Sequence, residues 1–208
     1  DITKKIGAYL EENLPDVKIV YTRTDDRFIS LLDRGKIANE AGGDIFVSIH
    51  ANSFHQRRVN GAEVYFLGLA KSETALNVMK RENSVLKYED RVEEELTEED
   101  LLIYELANAG NISTSEKIAE QIERQFRERA QRRSRGIKQA GFQVLYEASM
   151  PGVLIELGFI SNPDEANYLK SEYGQSIVAS AIYRSIRDFK LQYDSSINGE
   201  QPTATNQE

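Results

Sequence analysis

Asp44-Ile45-Phe46-Val47-Ser48-Ile49-His50-Ala51-Asn52 (DIFVSIHAN, residues 44–52) is the stretch on which the reading of the fold turns. Gly42 and Gly43 stand before it and end whatever helix precedes them. The run 44–49 is short and apolar, and after a glycine pair it reads as a buried strand. His50 follows directly. In open α/β sheets, ligands and catalytic groups collect beyond the carboxyl ends of the strands. A histidine there is a candidate metal ligand or acid–base group, although a strand-end histidine is structural as often as not. His55, the only other histidine, lies in a polar loop and carries no assignment.

Outward from this strand, apolar periods alternate between two kinds. Ile2, Ile6 and Leu10 recur at steps of four on one helical face, which Pro15 ends. Residues 17–22 (VKIVYT) alternate and are rich in β-formers, so a strand is expected. Ser30 with Asp33 marks a helix start, and that helix should run to about Ala41. Residues 61–67 (GAEVYFL), 142–146 (FQVLY) and 152–156 (GVLIE) are three further expected strands. Asn162-Pro163-Asp164-Glu165 opens a helix with a cap, a proline in the first turn and two acids. Ile182, Ile186, Phe189 and Tyr193 mark a final amphipathic helix. The alternation predicts an α/β fold: a twisted, mainly parallel sheet flanked by helices.

Residues 71–135 break the rhythm. They hold the acidic runs Glu93-Glu94-Glu95 and Glu98-Glu99-Asp100, then Ile118, Ile122 and Phe126 at helical spacing, then Arg127, Arg129, Arg132, Arg133 and Arg135. The plain reading is a solvated helical hairpin whose charges compensate internally. Its length exceeds an ordinary connection and marks it as an insertion. Residues 1–70 and 136–192 then form the main domain, and 193–208 are polar without a period, a disordered tail or linker.

The composition narrows the chemistry. The 208 residues carry a net charge of −8, which argues against a nucleic-acid binder. There is no cysteine, so thiolate nucleophiles, disulfides and cysteine-type zinc sites are excluded. No apolar run reaches the ~20 residues of a membrane span. Asp1 stands where a start methionine would be, and the chain is expected to be a fragment or a processed product.

Glu156 is the second pointer. It closes an apolar strand and is followed by Leu157-Gly158-Phe159. A carboxylate in such a run costs several kcal/mol unless paired or metal-bound. One reading is a buried salt bridge, to Arg23 or Arg34; the other is a general base held at the sheet edge. His50 and Glu156 together would suit metal-assisted hydrolysis.

Two ordered blocks carry a family resemblance. The first is Thr22-Arg23, Asp25, Leu31, Arg34, Ala38-Asn39 and residues 44–52. The second is Arg135-Gly136-Ile137-Lys138, Val144-Leu145, Met150-Pro151 and residues 154–162. Together they resemble the zinc-dependent N-acetylmuramoyl-L-alanine amidases, over about residues 1–192. The resemblance implies Zn2+ as cofactor, His50 as one of its ligands and Glu156 as the catalytic acid–base. It implies hydrolysis of the amide between N-acetylmuramic acid and L-alanine in peptidoglycan, and export to the periplasm or cell envelope. Two ligands of the family, the histidine of a Gly-His-Gly-Gly motif and a glutamate, are not in this chain, and the first strand is expected to be missing with them.

Members of the family that act in cell division carry an inserted segment that covers the site. Arg81-Glu82-Asn83-Ser84 is similar to the Arg-Glu-Asn motif that blocks zinc there. That resemblance implies Glu82 as an autoinhibitory ligand, with Glu89 as the next candidate. It also implies a LytM-type activator, for which residues 101–107 or the Ile118/Ile122/Phe126 face would be the docking surface. Two alternatives stay open: a non-catalytic cell-wall binding or regulatory protein, and another zinc peptidase such as a carboxypeptidase.

Overall fold

The computed structural model describes residues 1–89 and 96–198. Four strands form one sheet: β1 (Phe46–Asn52), β2 (Ala62–Leu67), β3 (Ser134–Ala140) and β4 (Gly152–Phe159), in the order β1-β4-β2-β3. β1 pairs parallel with β4, and β2 parallel with β3; the β2–β4 pair at the centre is antiparallel. The sheet is therefore mainly parallel, as the alternation of elements predicts. β4 and β2 are buried at every position because both faces are covered.

Each face has its own core. Val64, Phe66, Val153, Ile155 and Leu157 point to one side and pack under three helices: α1 (Ile2–Asn13), α5 (Ala109–Glu128) and α8 (Glu172–Asn198). Ile6 and Leu10 of α1 lie in that core, which is why their four-residue spacing is legible in the sequence. Phe46, Tyr65, Leu67 and Leu154 point to the other side, with α2 (Leu31–Glu40), α3 (Glu73–Asn83), α4 (Glu98–Ala107) and the short α6 (Gln143–Tyr146). α7 (Pro163–Lys170) links β4 to α8. The predicted starts hold: Ser30 accepts from Asp33 N, and Asn162 from the amides of Asp164 and Glu165, with Pro163 in the first turn. α2 and α6 approach closely at Gly35, where a Cβ would stand 2.4 Å from that of Glu147.

Several expectations fail. Residues 17–22 are not a strand. Their alternation survives as half-buried Val17 and Ile19 against exposed Lys18 and Val20, but among the described residues no strand pairs with them. A strand exists only where its backbone groups find a ladder. Residues 142–146 are also not a strand. Asn83 Nδ2 donates to Gly141 O at 2.8 Å and its Oδ1 accepts from Gln143 N at 3.0 Å, which turns the chain into the four-residue α6. Phe142, Val144 and Leu145 are buried all the same, so a short apolar run reported burial and not its shape. β3 was not expected. It is an edge strand, half-exposed until Ala140, and charged side chains hide its period.

Residues 71–135 do not form a solvated hairpin. Ile118, Ala119, Ile122 and Phe126 are fully buried and pack α5 on the sheet and α8. The basic run is compensated, but by Glu123, Glu165 and Glu63. Glu98, Glu99 and Asp100 form the first turn of α4, where Thr97 and Asp100 close a capping box. Glu93, Glu94 and Glu95 lie outside the described residues. α8 continues past Tyr193 to Asn198; residues 199–208 lie outside the described residues.

Candidate active site

The sheet register brings three polar side chains into one row. His50 on β1 is opposite Glu156 on β4, and Glu156 is opposite Glu63 on β2. Residues opposite one another share a face. The row lies on the α2–α3 side, beyond the apolar cluster of Phe46, Tyr65 and Leu154. Sequence alternation alone dictates this, because His50 and Glu156 sit two residues after Ser48 and Leu154, which face the same way.

Into this row reaches the last turn of α3. Three consecutive residues anchor it. Arg81 donates from Nη2 to Glu156 Oε1 at 3.2 Å and from Nη1 to the Ser53 carbonyl at 2.6 Å. Glu82 Oε2 is 2.7 Å from His50 Nδ1. Asn83 holds Gly141 and Gln143, as described above. The other ring nitrogen of His50 pairs with Ser48 Oγ at 2.9 Å, which fixes the ring's orientation.

Electrostatics separate the carboxylates. Glu156 is fully buried, Oε1 has only Arg81 as partner, and Oε2 has none. Burial pushes its pKa up to about 8; the nearby charges of Glu82 and Glu63 add to this and Arg81 opposes it. Burial also pushes Glu82 upward, but the His50 hydrogen bond and charge, with Arg81, more than offset it, and its proton affinity is below normal.

The N-acetylmuramoyl-L-alanine amidase family profile (Amidase_3) matches residues 1–188. The chain belongs to that family. The amidase AmiA of Salmonella typhimurium (strain LT2) is 32% identical over 199 residues, which is 93% of this chain and 67% of that protein. AmiA of Escherichia coli (strain K12) is 31% identical over the same shares. Among solved structures, the catalytic domain of CwlV, an N-acetylmuramoyl-L-alanine amidase from Bacillus (Paenibacillus) polymyxa var. colistinus, superposes with a TM-score of 0.66. It is 28% identical and covers 91% of this chain and 80% of that one.

The family is generally zinc-dependent. The donors described here meet part of a zinc site: an imidazole oriented by a hydroxyl, at a strand end, is the type of ligand zinc takes. Among the described residues no group of three or more His, Cys, Asp or Glu side chains is placed to hold a metal ion. His50 and Glu82 are thus candidate donors that do not complete a set.

The structure brings His50, Glu156 and Glu82 together. It removes one other expectation. The salt-bridge partner of Glu156 is Arg81, not Arg23 or Arg34: Arg23 Nη1 donates to the Arg27 carbonyl and Arg34 Nε to that of Ile29. Glu89 accepts from the Leu31 amide at 2.8 Å, at the first turn of α2. Sequence reasoning overlooked Glu63, and it placed Arg135 and Lys138 in a family block without giving either a role. The signal for Glu63 was the one already used for Glu156, a carboxylate inside an apolar strand.

Proposed function

We propose that this chain is the catalytic domain of a peptidoglycan hydrolase, held inactive by the end of α3, that cuts the amide between N-acetylmuramic acid and the L-alanine of the stem peptide. The observation that supports it is the pairing of successive residues, Arg81 with Glu156 and Glu82 with His50. One dipeptide engages both groups that the reaction needs free.

His50 would be this chain's donor to zinc, which when bound supplies a Lewis acid for the water and the amide carbonyl. The protein's own steps follow from the row. Glu156, set free of Arg81, accepts a proton from the attacking water and delivers it to the departing L-alanine nitrogen. Burial raises the proton affinity of Glu156, which favours its taking up a proton. Ser48 keeps the His50 ring in one orientation throughout. Products are a lactyl carboxylate on the sugar and a peptide with a free L-alanine amine.

Release of α3 needs a partner, and a LytM-type activator in the cell envelope fits an exported cell-division enzyme. α4 offers it Leu102, Ile103 and Leu106, which are exposed, while Leu101 is buried. The Ile118/Ile122/Phe126 face is not available, being buried in the core. No described helix is long and apolar enough to cross a membrane.

In an otherwise intact enzyme that carries the full zinc ligand set, Glu82→Ala tests the block. Removing a charge-assisted contact of about 1.5–3 kcal/mol should raise the rate of stem-peptide release from purified sacculi by about tenfold or more. Products are read by mass spectrometry: intact stem peptides support the amidase, whereas single amino acids would identify a carboxypeptidase. An unchanged rate would sink the autoinhibitory reading.

A further inference from the structure

One strand beyond Glu156 lies a second charged cluster that the reaction as described does not use. Glu63 is 2% exposed and fully satisfied. Its Oε1 accepts from Arg135 Nε at 2.8 Å and Lys138 Nζ at 2.6 Å; its Oε2 accepts from Tyr65 Oη at 2.7 Å and Asn52 Nδ2 at 3.0 Å. One carboxylate with two neutral donors would be balanced by a single cation. Two are present, so the cluster carries a surplus positive charge.

The unused donors are the informative part. Arg135 spends only Nε on Glu63. Its two terminal nitrogens make no hydrogen bond among the described residues, and Lys138 makes only the one. The Arg135 and Lys138 side chains are 26% and 18% exposed, so the open donors reach solvent while the stems are held. The Arg135 guanidinium lies over the Phe159 ring at 5.4 Å, at the end of β4, and Lys138 Nζ over the Tyr65 ring at 5.7 Å. A guanidinium fixed through Nε and presenting its terminal edge is a fork for a carboxylate. Its orientation is set before any ligand arrives, which lowers the entropic cost of binding.

We propose that Arg135 and Lys138 form a subsite for a carboxylate of the stem peptide, with Glu63 as the buried brace that positions both. The identity of the ligand rests on the amidase reading above. A stem-peptide carboxylate one to two residues beyond the cut amide would lie about 4–7 Å from it along an extended chain. Neighbouring strands are about 4.8 Å apart, so long side chains from β3 extending past β2 reach that distance from the Glu156 row. The subsite then sets which stem peptides are accepted: the free acid over its amide.

The test uses two probes: N-acetylmuramoyl-L-alanyl-D-glutamate, and the same compound with its carboxylates amidated. Calorimetric binding is measured for the wild type and for Glu82→Ala, in which α3 is released, and then for Arg135→Gln and Lys138→Gln in each background. Melting curves monitor folding. We expect Glu82→Ala to bind the acid about tenfold more tightly than the amide, with most of that ratio lost in Arg135→Gln and part of it in Lys138→Gln. A role confined to neutralising Glu63 would lower the melting temperature and leave the ratio unmoved, which would overturn the proposal. Equal binding of both probes, or binding of neither by Glu82→Ala, would overturn it too. Cleavage is followed in the same samples by the new lactyl carboxylate. Discrimination without cleavage, in an enzyme that carries the full zinc ligand set, would refute the amidase reading and leave the subsite standing.

Discussion

Glu63 on β2 and Glu156 on β4 face each other in one register pair, are both buried, and have opposite fates. Glu63 receives four hydrogen bonds, two of them from cations. Burial pushes its proton affinity up, but Lys138, Arg135 and Tyr65 more than offset this, and it ends below the normal value. Glu156 has one partner on one oxygen and none on the other, and burial pushes it up to about 8. Depth is the same, so the donors and the neighbouring charges decide. A saturated carboxylate is a brace. An unsaturated one is poised to exchange a proton, and a structure keeps such a group only where the rest of the fold over-determines it.

The largest effect that could break this contrast is on catalysis. Glu156→Gln should lower stem-peptide release by about 10²–10⁴-fold, the usual contribution of a general base, measured in the Glu82→Ala background. Thermal stability should be unchanged or higher, because an orphaned carboxylate is replaced by a neutral group of the same shape. Retained activity would show that Glu156 is only a structural acid.

Next in size is stability at the brace. Glu63→Gln leaves Arg135 and Lys138 facing each other without their counter-charge, and should cost about 3 kcal/mol, read from the urea midpoint. The cost should be several times any loss in Glu156→Gln. Equal losses in the two variants would mean that donor count does not distinguish the sites.

The contrast also explains what could be read from the sequence. His50 and Glu156 were legible because period-two alternation places them on one face and because each ends an apolar run. The family blocks, confirmed by the profile over residues 1–188, then supply the reaction class. Glu82 was legible only as part of a motif; that it meets His50 depends on where α3 ends, a tertiary fact. Glu63 carried the same signal as Glu156, but nothing in the sequence pairs it with Arg135 and Lys138, which belong to a family block and sit on β3, an edge strand with no apolar period. Residues 17–22 erred in the other direction. Their alternation is real, but pairing depends on a neighbour, and local pattern cannot supply one.

The finest separation of the two glutamates is in pH, because their linkage has opposite sign. Glu63 has a lowered proton affinity in the folded protein, so its contribution is present above the ordinary value of 4.5 and is lost as pH falls through the lower folded value. Glu156 has a raised one, so the folded state is favoured below 4.5, and that contribution is lost as pH rises from 4.5 to about 8. Metal-free wild type, Glu63→Gln and Glu156→Gln should therefore be denatured with urea across pH 3 to 9. The stability difference between wild type and Glu63→Gln should shrink only on the acid side. Against Glu156→Gln, the wild type should lose ground steadily between pH 4.5 and 8, by at most about 1.4 kcal/mol per pH unit. A flat difference over that interval would mean that Glu156 is already ionised when folded. Arg81 would then outweigh burial, and releasing α3 would be what raises the proton affinity of Glu156 as well as what uncovers it.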